Sequence, residues 1–304
     1  MRKTTNVCTC DPISLVPGKF VEPNNYGGHY KQLFRTNLWS PVLLVFVLSV
    51  VSGCQSFQYQ TLLDQQVLEG EIIQSDPFQH RIFRKVELNA TNPSALHIYI
   101  EGDGQPWRTR YFIASDPTPK SPLMLQAMLR DSANSLYLTR PCYYHTQDPA
   151  CSAMDWTMAR YGELVVSSMT NIVDKLGADI PDLWLIGHSG GGALAVLIGQ
   201  RLQRPVKVVT IAANIDHQAW TEYHDYTPLQ ESLNPATDTA RNPLMREIHW
   251  YGSDDKNVLP QWIQAYCRDR AVECRETHAS HAGGWLPLWQ QVLSESQASF
   301  EVEH

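Results

Sequence analysis

The residues best placed to do chemistry are Gly187-His188-Ser189-Gly190-Gly191, which fit the spacing G-x-S-x-G. A serine hydroxyl is a weak nucleophile until a base takes its proton, so the spacing matters only where the chain projects that hydroxyl toward a partner. Leu183 to Ile186, just before it, is an apolar run of strand length. Ala193 to Ile198, just after it, continues into Gly199, Gln200 and Arg201 like a helix. A strand that turns directly into a helix forces Ser189 into a strained conformation and leaves no room for side chains at Gly187 or Gly191. The turn would lift the hydroxyl out of the sheet and aim the Gly190 N–H and the helix N-terminus at an anion forming on the attacked group. A plain Gly-Ser loop is the alternative, and the flanking strand and helix argue against it.

With this elbow in its strand–turn–helix context, the chain resembles the α/β-hydrolase family from Val67 to the C-terminus. It looks most like a group of exported bacterial α/β-hydrolases that share the Arg140-Pro141-Cys142, Gly190-Gly191-Gly192 and His281-x-x-Gly284-Trp285 stretches. The resemblance implies a mostly parallel eight-stranded sheet with helices on both faces and a small cap insertion. It also implies a nucleophile, an acid and a histidine in that chain order.

Gly252-Ser253-Asp254-Asp255-Lys256-Asn257-Val258-Leu259-Pro260 resembles the family's acid loop and puts the acid at Asp255. Asp216, after the preceding strand, is a second candidate, and Asp254 a third that is one residue off the spacing. His281 is the expected base, with His278 as the alternative, because the residues after His281 match the shared stretch. The loop after the third strand, Glu101-Gly102-Asp103-Gly104-Gln105-Pro106-Trp107, has Glu101 where the family has His. Its backbone donor would come from Asp103, with the side chain turned away so that its charge does not oppose an oxyanion. An ordinary glycine turn is the other reading. The resemblance implies carboxylic ester hydrolysis through an acyl-enzyme on a small or lipid-like acyl substrate, with no cofactor and no metal. Amide cleavage and acyl transfer use the same residues, and a non-catalytic scaffold on this fold is the rival of another class.

The elements that must hold these residues follow from the pattern. Val67–Ile73 and His80–Leu88 read as an antiparallel edge, and Leu96–Ile100, Ser135–Leu138, Val206–Ala213, Glu247–Tyr251 and Ala271–Glu276 as further strands. Pro122–Arg130, Trp156–Leu176, Gln261–Arg268 and a segment beginning near Leu286 read as helices. His217 to Pro243 has no long apolar period, and residues 217–243 fit a cap insertion over the active site. Trp107, Tyr143, Tyr144, Trp220 and Tyr223 are candidate pocket walls, with aromatic packing on the body as the alternative.

Ahead of this domain, Lys31 and Arg35 precede the apolar run Pro41 to Val51, which ends in Val51-Ser52-Gly53-Cys54. The run is too short to span a bilayer comfortably and resembles a lipoprotein signal. On that reading residues 1–53 are leader, Cys54 is lipidated, residues 54–66 are a flexible tether, and residues 67–304 are the domain. The implied location is the periplasmic face of a bacterial membrane, the outer one by preference, with attachment through the lipid rather than through basic residues, since the net charge of −7 comes without a Lys/Arg run. The same balance argues against nucleic acid as a partner. Cys142, Cys151, Cys267 and Cys274 form two close pairs without C-x-x-C spacing, and only His145 is a soft ligand nearby. They read as two local disulfides in an oxidising compartment rather than as a zinc site.

Overall fold

The computed structural model describes residues 59–65, 67–86, 94–144 and 148–302. The leader, the apolar run and Cys54 lie outside them. β1 (Leu68–Ser75) and β2 (Phe78–Lys85) form the antiparallel edge. They are followed by β3 (Ala95–Ile100), a small hairpin of β4 (Trp107–Thr109) and β5 (Phe112–Ile113), and β6 (Ser135–Leu138). β7 (Asp182–His188), β8 (Val206–Ile211), β9 (Met245–Gly252) and β10 (Glu273–Thr277) complete the set. The eight-stranded sheet runs β1-β2-β6-β3-β7-β8-β9-β10, and β2 alone opposes the common strand direction. Because β3, β7, β9 and β10 are parallel, their C-terminal ends and the loops that leave them share one edge of the sheet.

Strand side chains alternate between two cores, as the two-residue period requires. Leu183 and Leu185 of β7 face one core with α3 (Glu163–Gly177) and α4 (Gly190–Arg201). Trp184 and Ile186 face the other with α2 (Leu123–Met128) and α7 (Trp289–Val302). Every residue of α4 from Gly190 to Gln200 is buried, which explains an apolar run without a polar face. α5 (His217–Tyr223) opens the insertion, and α6 (Pro260–Arg270) follows the acid loop with Pro260 at its first turn.

Three segments differ from the sequence reading. The segment read as a flexible tether contains α1 (Tyr59–Asp64), and the Tyr59 ring packs 4.9 Å from Tyr144 and 5.6 Å from Phe83. The helix expected from Trp156 instead begins at Glu163. A short 3-10 turn at Ala153–Trp156 and a turn through Arg160 and Tyr161 come first, and Ser152 and Asp155 form a reciprocal cap at the start of that 3-10 turn. The β4–β5 hairpin carries too few residues for a visible alternation.

Candidate active site

Ser189 leaves β7 with φ 52° and ψ −121°, a conformation that costs about 1–3 kcal/mol for a residue with a Cβ. Backbone bonds hold it there: its N–H donates to the Ile211 carbonyl at 3.1 Å, and its carbonyl accepts from Asn214 N–H at 3.0 Å. A Cβ at Gly187 would lie 2.3 Å from the Gly191 carbonyl oxygen, so the turn demands glycine there.

His281 Nε2 lies 3.0 Å from Ser189 Oγ, and His281 Nδ1 lies 2.9 Å from Asp255 Oδ2. A carboxylate only accepts, so Nδ1 carries the proton and the Nε2 lone pair faces the serine hydroxyl. The buried Asp255 is oriented by its other oxygen, which accepts from Asn257 N–H at 2.8 Å and Val258 N–H at 3.0 Å. Burial lowers the His281 pKa below its ordinary 6.5, with the Asp255 hydrogen bond opposing that effect. The ring is therefore neutral at neutral pH and able to accept a proton.

The alternatives are engaged elsewhere. Asp216 caps α5, accepting from Ala219 N–H at 3.2 Å and from Asn234 Nδ2 at 3.0 Å. Asp254 pairs with His278 at 3.0 Å on the surface, where both side chains are exposed.

Two side chains outside the expected set fix the histidine loop. His188 Nε2 donates to the His281 carbonyl at 2.7 Å, and Trp285 Nε1 donates to the Ser280 carbonyl at 2.9 Å and the His281 carbonyl at 3.3 Å. Trp285 is wholly buried, which gives the His-x-x-Gly-Trp spacing a mechanical reason. A large ring four residues after His281 was a readable signal; the variable position of the elbow gave none for His188.

Gly190 opens α4, where the first N–H groups of a helix have no intrahelical acceptor. Asp103 is a neighbour of Gly190, and its carboxylate, expected to turn away from an oxyanion, packs on the side of Gly190 where a Cβ would lie. A Cβ at Gly190 would fall 1.9 Å from Asp103 Oδ1 and 2.5 Å from the Tyr161 hydroxyl oxygen. The carboxylate accepts from Arg140 Nη1 at 2.5 Å, Arg160 Nη1 at 2.8 Å and the Tyr161 hydroxyl at 2.8 Å. Burial pushes the Asp103 pKa up, and the Arg160 and Arg140 guanidiniums outweigh it and hold the group below the usual carboxylate range. Glu101, in the family's His position, is buried and accepts from Gly102 N–H at 3.2 Å and Met124 N–H at 2.9 Å.

The proposed pocket aromatics separate. Tyr144 belongs to the core: it is buried against Phe83 and Tyr137, and its hydroxyl lies 2.8 Å from that of Tyr137. Tyr143 is also buried, and its hydroxyl donates to the Asp103 carbonyl at 2.8 Å, so it holds the loop rather than forming a pocket wall. Trp220 donates from Nε1 to Asn257 Oδ1 at 3.2 Å, which ties the insertion to the acid loop. Tyr223 is 60% exposed and packs beside Trp262, and Trp107 lies on β4. A cavity of about 830 Å³ opens in the insertion, lined by His217, Tyr226, Leu233 and Asn234 among others and by none of these five aromatics. Both cysteine pairs are bonded, Cys142–Cys151 with Cα atoms 5.6 Å apart and Cys267–Cys274 with Cα atoms 6.0 Å apart.

No family model and no curated protein matches the chain. Solved structures do. An esterase from Pyrococcus furiosus superposes with a TM-score of 0.57 and 12% identity, over 81% of this chain and 95% of that one. A candidate esterase from Staphylococcus aureus gives a TM-score of 0.50 and 13% identity, over 90% and 95%. A candidate dipeptidyl aminopeptidase IV from Bacteroides ovatus gives 0.51 and 15%, over 76% of this chain and 35% of that one. With the strand order and the elbow, these similarities define the α/β-hydrolase fold.

Proposed function

We propose that this protein is a serine hydrolase that cleaves carboxylic esters. The observation that carries the reading is the continuous relay from Ser189 Oγ through His281 to Asp255, with contacts of 3.0 and 2.9 Å. His281 accepts the Ser189 proton as the oxygen attacks the ester carbonyl, and Asp255 holds the tautomer and stabilises the imidazolium. The N–H groups of Gly190 and Asp103 receive the oxyanion. His281 then returns the proton to the leaving alcohol, and a water, activated by the same ring, releases the acid and restores Ser189. Ester rather than amide cleavage draws support from the esterase among the structural neighbours, and it is the less demanding of the two reactions.

The chain is further proposed to be exported and attached to the periplasmic face of a bacterial membrane by a lipid on Cys54. Both disulfides support an oxidising compartment. The activity is tested with p-nitrophenyl esters of increasing acyl length, run beside a p-nitroanilide series. Ester turnover that disappears in Ser189→Ala supports the proposal; turnover of anilides alone, or of neither, overturns it.

A further inference from the structure

We infer that Arg140, Arg160 and Tyr161 are positioning residues for the oxyanion site, acting through the Asp103 carboxylate. The inference rests on the serine hydrolase reading above and assigns these three side chains a role in it. A carboxylate this close to Gly190 would by itself repel a developing oxyanion. Here it is met by two guanidiniums, so the local cluster carries one negative charge against two positive ones.

The geometry leaves Asp103 little freedom. Its carboxylate is held by Arg140, Arg160 and Tyr161, while its carbonyl accepts from the Tyr143 hydroxyl at 2.8 Å. The clamp is itself fixed. Arg140 Nη2 donates to the Arg160 carbonyl at 2.7 Å, and Arg160 Nε donates to the Thr157 carbonyl at 2.6 Å. The Arg140 guanidinium also lies over the rings of Tyr143 and Tyr161, at 5.3 and 5.4 Å from their centroids. Arg140 and Arg160 are 2% and 4% exposed, so water screens these contacts weakly.

Gly190 completes the argument. The space a side chain would take there is filled by Asp103 Oδ1 and the Tyr161 hydroxyl. One cluster therefore abuts the residue of one proposed donor and contains the residue of the other. It sets their separation, and catalysis is sensitive to errors of about 1 Å in such positions.

The test compares wild type with Tyr161→Phe, Arg160→Met and Arg160→Lys, measuring kcat and KM on a short p-nitrophenyl ester and the Ki of an alkyl boronic acid. The boronate adduct is tetrahedral and anionic, so its affinity reads the oxyanion site, which a loss of fold alone would not selectively move; thermal unfolding checks the fold. The expected result is a kcat loss of about tenfold in Tyr161→Phe and about 100-fold in Arg160→Met, with KM within about twofold, boronate affinity falling in proportion, and partial rescue by Arg160→Lys. Should Arg160→Met fail to fold, Tyr161→Phe decides. Folded variants with kcat within about twofold of wild type, or losses confined to KM with boronate affinity intact, overturn the inference. A wild type that neither turns over esters nor binds boronate overturns the hydrolase reading, and with it this role.

Discussion

At the scale of single residues, the acid is the assignment with real competitors. Asp255 is buried and bonded to His281, whereas Asp216 caps α5 and Asp254 pairs with His278 at the surface. Asp255→Asn is expected to fold and to lose about 10⁴ in kcat, the size of effect seen when a triad histidine is left in the wrong tautomer. Asp216→Asn is expected to keep its turnover and cost about 1 kcal/mol or less of stability through a weakened cap, as read by urea unfolding. The histidine sets the pH dependence. Its pKa is lowered, chiefly by burial, and it must be neutral to accept a proton, so activity is lost only as pH falls below the ordinary 6.5. A pH profile of kcat/KM should place the acid limb below that value, and a limb above 7 would contradict the neutral, buried ring.

The elements show what a sequence can and cannot carry. The elbow and the acid loop were legible because their chemistry is local: Gly187, Ser189 and Gly191 fall within one turn, and Asp255 is followed two and three residues later by the N–H groups that orient it. The clamp was not legible, because Asp103, Arg140 and Arg160 meet across 37 and 57 residues with no period to betray them. The turn that presents Arg160 and Tyr161 also interrupted what looked like one long helix. Cys142 is two residues beyond Arg140, and its partner Cys151 precedes the turn holding Arg160, so this disulfide closes the loop between the two arms of the clamp. Replacing both cysteines by serine should cost about 2–3 kcal/mol in denaturant unfolding by the loop-closure argument. Between β2 and α3, His80 lies buried between the Thr139 carbonyl and the Ser168 hydroxyl, and burial lowers its pKa to about 4. The unfolded chain therefore binds this proton more readily, and the stability is complete above pH 6.5 and lost as pH falls toward 4. The loss amounts to about 3 kcal/mol. Unfolding midpoints followed across that range should fall in wild type and fall less steeply in His80→Gln.

For the molecule as a whole, the parallel sheet gathers at one edge the loops that carry Asp103, Ser189, Asp255 and His281, although these residues span most of the domain. The proposed lipidation of Cys54 belongs to this scale too, and a palmitate analogue should label the intact chain but not Cys54→Ala. The central claim is that Ser189 is a nucleophile activated by His281 and Asp255. It is tested most directly by treating the full chain with a fluorophosphonate and locating the adduct by peptide mass spectrometry. The account predicts one adduct, on Ser189, absent from Ser189→Ala and formed far more slowly in Asp255→Asn. A wild type that stays unmodified, or an adduct on another residue that persists in Ser189→Ala, would contradict it.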